Sequence, residues 1–214
     1  KTELLAASER VLSSGQYILG PEVDAFEREA ADYLKAEHTI GVANGTDALF
    51  LALRALGVGP GDKVVTTSFS FFATVSAILM TGAQPVFVDI DPVSFNISAL
   101  RLRESLKVSS DKVKAIVPVH LYGHPADMDA LMSIAKEYSL AVVEDAAQAF
   151  GSTWDRKPVG TIGDLGCFSF FPTKNLGGFG DGGLIATTHE GLASQVKMLR
   201  AHGSSKKYSH DVVG

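Results

Sequence analysis

One lysine, Lys174, lies between an apolar run and a glycine-rich run in the segment SFFPTKNLGGFGDGG, residues 169–183. A lysine amine becomes a nucleophile only after it loses its proton, and surroundings that exclude water favour that loss. The glycines after it allow backbone to approach a bound molecule closely. The sequence therefore makes Lys174 a candidate nucleophile, and a lysine that caps a loop in solvent is the alternative.

Three further polar positions follow segments that are typical of strands. Asn44-Gly45-Thr46 ends the segment HTIGVAN and begins the helical pattern TDALFLAL, so it offers an anion free backbone N–H groups and a hydroxyl. Asp145 follows the apolar run LAVV, and a carboxylate that emerges from a buried strand needs a partner. Gln148 is three residues after Asp145, so its side chain lies on the same side as that of Asp145 if the chain makes a helical turn there. A routine helix cap at Asn44, and a structural N-cap or ion pair at Asp145, remain the alternatives.

Aromatic and hydroxyl side chains also occur at strand ends. Phe69, Phe71 and Phe72 are expected to lie mostly in the core, although one of them at a strand end is able to stack on a flat ring. Ser169 is a candidate phosphate donor, against the commoner use of a hydroxyl for a local backbone bond. For His120, a half-buried side chain with satisfied nitrogens is expected, and a ligand or acid–base role is the alternative.

These residues together fit one chemistry. An aspartate ends one strand, a lysine follows a later strand, and a glycine–threonine anion site lies near the start of the chain. Pyridoxal 5′-phosphate (PLP) needs a lysine for a Schiff base, a carboxylate for its pyridine nitrogen and a cradle for its phosphate. The sequence therefore predicts PLP as the cofactor.

The elements that position these residues alternate along the chain. Apolar strands separated by amphipathic helices predict βαβ units around a mostly parallel sheet with helices on both faces, which is a three-layer αβα fold of the α/β class. No helix separates the last two strands, so an antiparallel strand is expected there. The segments with strand character are residues 38–44, 62–69, 84–90, 114–121, 140–147, 165–171 and 182–188, which predicts a sheet of about seven strands.

Composition narrows the class of protein. The 214 residues are 46% hydrophobic and 20% charged, which is ordinary for one globular domain. A net charge of −5 without a basic block argues against a nucleic-acid partner and against an anionic membrane surface. Cys167 is the single cysteine, so neither a disulfide framework nor a cysteine metal site is expected, and a reducing, cytoplasmic location fits. The amphipathic N-terminus has no signal-peptide pattern.

Stretches along nearly the whole chain resemble the DegT/DnrJ-type nucleotide-sugar aminotransferases, which are fold type I enzymes dependent on PLP. They occur in the order found in that family. The matching stretches are GQYILGPEVDAFEREAADYL, GVANGTDALFLAL, SFSFFATVSAI, GAQPVFVDID, PVHLYGHPADMDAL, VVEDAAQAFGS, GCFSFFPTKNLGGFGDGG and RAHGSSKKYSHDVVG.

This resemblance implies a role for each candidate residue. The catalytic pair would be a lysine that forms the internal aldimine and an aspartate that pairs with the pyridine nitrogen. Around them, the family has an amide on the 3-oxygen side of the ring, an aromatic ring stacked on it and a phosphate cradle. On these positions the resemblance places Lys174 as the aldimine lysine, Asp145 at the nitrogen, Gln148 at the 3-oxygen, Phe71 on the ring, and Gly45, Thr46 and Ser169 at the phosphate.

The resemblance also implies an organisation for the protein. Residues 1–214 would be the PLP-binding large domain, with an N-terminal helix at 1–14, and a smaller C-terminal domain of the family is absent from this chain. Segment 15–21, GQYILGP, is similar to a family segment that reaches toward the partner's active site. The expected assembly is therefore a homodimer with a shared active site.

The expected function is transamination of a keto-sugar nucleotide, with L-glutamate as amino donor, in amino-sugar synthesis for surface polysaccharides or secondary-metabolite glycans. A sugar dehydratase of the same fold is one alternative, which the lysine at position 174 disfavours because such enzymes typically carry histidine there. A non-catalytic regulatory homologue is another. A nicotinamide-dependent enzyme is disfavoured because GGFGDGG precedes a strand instead of a helix.

Overall fold

The computed structural model describes residues 1–206 and 209–214. The motif at residues 200–214 therefore lies partly outside the described residues, at Lys207 and Tyr208. The strands are β1 His38–Val42, β2 Lys63–Thr66, β3 Gln84–Phe87, β4 Val113–Ile116, β5 Ala141–Asp145, β6 Thr153–Trp154, β7 Lys157–Pro158, β8 Leu165–Ser169, β9 Gly183–Thr187, β10 Ser204–Lys206 and β11 Ser209–His210.

Helices precede or follow most of these strands. They are α1 Thr2–Ser14, α2 Pro21–Leu34, α3 Gly45–Ala55, α4 Ala73–Met80, α5 Ala99–Val108, α6 Met128–Tyr138 and α7 Glu190–Arg200. Side chains of Asn44, Ser98 and Asp127 cap α3, α5 and α6 by accepting backbone N–H groups of the first turn. Within the described residues, no helix is long and apolar enough to span a membrane.

Seven strands form the main sheet in the order β1-β9-β8-β5-β4-β2-β3. Strand β9 pairs antiparallel with both β1 and β8, and the remaining pairs, β8 with β5, β5 with β4, β4 with β2 and β2 with β3, are parallel. The predicted mostly parallel α/β sheet of about seven strands is confirmed, as is the antiparallel strand without a preceding helix.

The sheet has helices on both faces, because successive strand residues point to opposite sides. Val143 and Cys167 pack with helices α3, α4 and α7 on one face. Val142, the next residue along β5, packs with α5 and α6 on the other face, and Phe168 packs there with α2. The three-layer αβα arrangement follows from this alternation.

Two short two-stranded sheets do not appear in the predicted pattern. Strands β6 and β7 pair across Asp155-Arg156, and both turn residues have positive φ, as a type I′ turn requires. The usual sequence signal for that turn is Asn-Gly or Asp-Gly, which is missing here. Strands β10 and β11 form the other two-stranded sheet.

Both edges of the main sheet carry residues that limit further pairing. At β1, the Gly41 N–H donates to Glu27 Oε1 at 2.7 Å, and Arg200 Nη1 donates to the Gly41 carbonyl at 2.9 Å. Arg200 Nη1 also lies 2.6 Å from Glu27 Oε1. At the opposite edge, β3 contains Pro85, which has no N–H to donate.

Candidate active site

Residues from several strand ends line one cavity of about 560 Å³ at the carboxyl edge of the parallel strands. This is the edge at which α/β sheets bind their ligands. All of the predicted site residues lie on the wall of this cavity: Gly45, Thr46, Phe71, Asp145, Gln148, Ser169 and Lys174.

The N-terminus of α3 forms one wall. Asn44 accepts the Asp47 N–H at 2.8 Å, and the other N–H groups of a first turn have no acceptor within their own helix. Gly45 is buried against Ser169, and a Cβ at position 45 would lie only 2.7 Å from Ser169 Cβ. Glycine thus lets the helix start touch β8, so that the backbone of Gly45 and Thr46 and the Ser169 hydroxyl border the same space. This wall is suited to an anion.

Asp145 ends β5 on the face that carries α3 and α4, and its side chain is almost fully buried. Its Oδ2 accepts the Thr74 hydroxyl at 2.7 Å and its Oδ1 accepts the Ala147 N–H at 3.2 Å. Burial raises the pKa of Asp145, and these two hydrogen bonds oppose the rise. No salt bridge to Asp145 occurs among the described residues, so a cation in the cavity would find a carboxylate available.

Glu144, the neighbour of Asp145, points to the opposite face and is fully buried. Its Oε1 accepts the N–H groups of Ile162 and Gly163, each at 2.7 Å. Its Oε2 accepts the Gly160 N–H at 2.7 Å and lies 2.9 Å from His120 Nε2. One carboxylate therefore fixes a whole loop against the strand that carries Asp145.

His120 is fully buried, and both ring nitrogens have partners. Its Nδ1 lies 3.0 Å from the Ala126 N–H, which can only donate, so the ring proton is assigned to Nε2 and is donated to Glu144. The His120 N–H donates to the Asp145 carbonyl at 3.0 Å. The expected satisfied histidine is found, although it is fully buried and not half-buried.

Gln148 lies in a turn directly after β5. Its Oε1 accepts the Tyr122 N–H at 2.8 Å. Tyr122 has φ 56° and ψ 22°, a left-handed conformation that directs this N–H toward the amide. Because the amide oxygen is occupied, the NH₂ group of Gln148 is left to donate to a molecule in the cavity.

The aromatic segment after β2 departs from the prediction. Phe69, Phe71 and Phe72 are 42%, 70% and 69% exposed, so the expectation that they lie mostly in the core is wrong. Strand β2 ends at Thr66, before these residues begin, and they form the loop that enters α4. Their composition resembles a continuing strand, which explains the error. Phe71 lines the cavity.

Lys174 ends a turn in which its N–H donates to the Phe171 carbonyl at 2.8 Å, with Pro172 as the second residue of the turn. The side chain lines the cavity but is half-buried, and Thr173 and Asn175 beside it are exposed. The apolar run before it suggested a more enclosed lysine. The buried part of the apolar run ends at Phe170, which packs into the core, and Phe171, the first residue of the turn, is half-exposed.

Two residues that contribute to the site, Thr74 and Glu144, are not among those predicted from the sequence. Thr74 binds Asp145 directly from α4, and Glu144 fixes the loop behind it. Thr74 lies 71 residues before Asp145, and no spacing rule joins them. Glu144 carried a signal, since a charged residue inside the apolar strand LAVVED must have buried partners.

The fold and the cavity define an α/β protein whose site lies at the carboxyl ends of a mostly parallel sheet. The profile of the DegT/DnrJ/EryC1/StrS aminotransferase family matches residues 1–214. The chain belongs to this family, which confirms the resemblance drawn from its motifs.

Several curated relatives match this chain over its full length. The chain is 50% identical over 214 residues to a "Pleiotropic regulatory protein" of Geobacillus stearothermophilus, covering 100% of this chain and 57% of that protein. It is 45% identical over 214 residues to a UDP-N-acetyl-3-dehydro-alpha-D-glucosamine 3-aminotransferase of Acidithiobacillus ferrooxidans, again covering 100% and 57%. The chain thus spans a little over half the length of these relatives.

Solved structures agree with these matches. DesV of S. venezuelae, in complex with a ketimine intermediate, superposes with a TM-score of 0.95 at 47% identity, covering 100% of this chain and 57% of that one. NtdA of Bacillus subtilis, with bound cofactor PMP, superposes with a TM-score of 0.91 at 36% identity. The match covers 99% of this chain and 47% of NtdA.

Proposed function

We propose that the protein to which this chain belongs is a PLP-dependent aminotransferase acting on a keto-sugar nucleotide, and that residues 1–214 form its cofactor-binding domain. The observation that supports this most directly is the grouping of Asp145, Lys174 and the start of α3 around one cavity. The names of relatives support the substrate class, since one is a sugar-nucleotide 3-aminotransferase.

The residues on the cavity wall fit PLP by their chemistry. A buried carboxylate, Asp145, is available for a protonated pyridine nitrogen. The first turn of α3 and the Ser169 hydroxyl suit a phosphate, and Gly45 keeps their approach open. The free NH₂ group of Gln148 suits an oxygen on the ring. The PMP-bound structure similar to this chain supports the same cofactor class.

When bound, PLP supplies an electron sink for the carbon that loses its proton. Asp145 keeps the pyridine nitrogen protonated, which is the main electrostatic contribution of this chain. The Lys174 Nζ removes the proton from the α-carbon of the amino donor, and in the second half it delivers a proton to the sugar carbon that receives the amine. Phe71 covers one ring face and excludes water from it.

The finer assignments follow from the family. L-glutamate is proposed as the amino donor. A homodimer with a shared site is also proposed, and the exposed side chains of Tyr17, Ile18 and Leu19 in the segment before α2 support it because they offer apolar surface to a partner. A reducing cytoplasmic location is proposed, consistent with the single cysteine in the sequence.

The test uses the full-length protein mixed with PLP. We expect an absorbance band in the visible region, and borohydride should bleach it and leave a label that peptide mass mapping places on Lys174. Lys174→Ala should lose the covalent label, whereas Lys197→Ala, an exposed lysine on α7, should keep it. A separate sample of the full-length protein, loaded with PLP and not treated with borohydride, is assayed for amine transfer from glutamate to a panel of keto-sugar nucleotides.

A non-catalytic regulatory role is the second candidate, because the relative at 50% identity is named a pleiotropic regulatory protein. A colourless protein that ignores added PLP would contradict the proposed transamination and favour this role. Dehydration of the sugar nucleotide without amine transfer would instead favour the dehydratase alternative.

A further inference from the structure

The Thr74 hydroxyl contacts the Asp145 carboxylate from the first turn of α4. Thr74 is 1% exposed, and its Oγ1 lies 2.7 Å from Asp145 Oδ2. Helix α4 follows the loop that carries Phe71, whereas Asp145 ends β5. This one hydrogen bond therefore connects the aromatic wall of the cavity to its acidic wall.

The direction of the hydrogen bonds follows from the number of protons. A hydroxyl has one proton to donate, and an ionised carboxylate can only accept, so Thr74 donates to Asp145 Oδ2 at 2.7 Å in preference to the Phe71 carbonyl at 3.3 Å. The Ser70 Oγ lies 2.9 Å from Thr74 Oγ1, and Ser70 must then be the donor of that bond. Ser70 itself lines the cavity. A short chain of hydroxyls therefore runs from the cavity wall through Thr74 to Asp145.

We propose that Thr74 is a positioning residue that holds Asp145 Oδ2 in place, with Ser70 as the outer donor, so that the carboxylate is aligned with the pyridine nitrogen of PLP. This inference rests on the proposed function. Hydrogen bonds to a charged group are about twice as strong as neutral ones, and a buried carboxylate that loses a donor is poorly compensated.

The surroundings of Asp145 give this bond a measurable consequence. Burial raises the pKa of Asp145, and the Thr74 hydroxyl is the strongest of the groups that oppose this rise. The other ionisable groups near it are His120 and Lys174, each of which lowers the pKa of Asp145 when it carries a positive charge, and the Cys167 thiol on β8. Loss of the hydroxyl therefore moves the pKa of Asp145 further upward.

The test measures PLP affinity of the full-length protein by absorbance titration across a series of buffers from acidic to alkaline. Thr74→Val keeps the shape of the side chain and removes the donor. We expect PLP to bind about tenfold more weakly at neutral pH. The loss of binding toward acid should also begin at a higher pH than in the wild type. Thr74→Ser restores the hydroxyl and should restore both properties.

Thr81→Val is the matched control, because Thr81 is also buried, directly after the last residue of α4, and its hydroxyl donates to the Ile78 carbonyl far from Asp145. It should lose stability without changing PLP affinity or its pH dependence. If Thr74→Val does not fold, Ser70→Ala should shift both measurements in the same direction by a smaller amount.

Wild-type affinity and pH dependence in Thr74→Val, or an equal loss in Thr81→Val, would overturn the inference while leaving the proposed cofactor intact. An unchanged Ser70→Ala, where that variant replaces Thr74→Val, would overturn it as well. A wild-type protein that does not bind PLP would contradict the proposed function, and the inference would fail with it.

Discussion

Replacement of Glu144 by glutamine is expected to destabilise the protein strongly, although the two side chains have the same shape. The carboxylate accepts four hydrogen bonds, two at each oxygen. An amide has one oxygen, so its NH₂ group must face two donors: either the N–H groups of Ile162 and Gly163, or the Gly160 N–H and His120. In the second case His120 cannot relieve the conflict by moving its ring proton, because its Nδ1 already accepts a backbone N–H.

The magnitude follows from this count. Each buried donor that is left without an acceptor costs about 1–3 kcal/mol, so two of them cost about 2–6 kcal/mol of the free energy of unfolding. That is a large share of the roughly 5–15 kcal/mol by which native domains are stable. The cost is local to the loop that Glu144 holds, so amides 160–163 should lose their protection first.

The assay is amide hydrogen exchange on the full-length Glu144→Gln protein, combined with urea unfolding. Exchange at Gly160, Ile162 and Gly163 should accelerate more than exchange in α3. Glu104→Gln is the control, because Glu104 pairs with Arg101 at the surface and should change stability by only about 0.5 kcal/mol or less. Unchanged exchange at the three amides, with an unfolding free energy within about 1 kcal/mol of wild type, would refute the reasoning.

Three further outcomes are expected. Gly45→Ala should weaken PLP binding and cost about 1–3 kcal/mol in urea unfolding, because the new Cβ would lie 2.7 Å from Ser169 Cβ, whereas Gly191→Ala in α7 has open space and should be tolerated. Burial raises the pKa of Asp145, so the folded chain without PLP holds that proton more tightly than the unfolded chain and loses stability as pH rises above the ordinary aspartate range. The melting temperature of Asp145→Asn without PLP should therefore depend less on pH than that of the wild type, and at neutral pH it should be no lower. A lower melting temperature of Asp145→Asn at neutral pH would count against a carboxylate that burial destabilises. Burial also raises the pKa of Cys167 well above its usual range, so iodoacetamide should label it only after unfolding, and rapid native labelling would contradict its burial.

The sequence predicts the fold well where local pattern and packing agree. Apolar strand segments and amphipathic helices alternate, and this alternation leads to the observed sheet because each strand must be covered on both faces. The prediction from sequence is wrong at Phe69, Phe71 and Phe72. Their aromatic composition is that of a strand, although the chain has already left the sheet. Propensity describes which residues suit a buried surface and does not describe where a strand ends.

The candidate site shows the same division. Lys174, Asp145 and Gly45 are recognisable from residue type and neighbours, because chemistry restricts which residues can serve. Thr74 is an ordinary helical threonine until the fold brings α4 against β5, and the partners of Glu144 lie in a loop 16 to 19 residues later. Long-range hydrogen bonds of this kind depend on tertiary structure, so a local pattern does not reveal them.

The two edges of the sheet have a consequence for how copies of this chain can meet. An open strand edge is a template on which another strand can add, and such addition leads to aggregates that grow without limit. Here the Gly41 backbone is already bound by Glu27 and Arg200, and the opposite edge presents Pro85. Growth of the sheet from molecule to molecule is therefore disfavoured at both ends. Contacts between copies of this chain are therefore expected to involve helices and loops and not these strand edges.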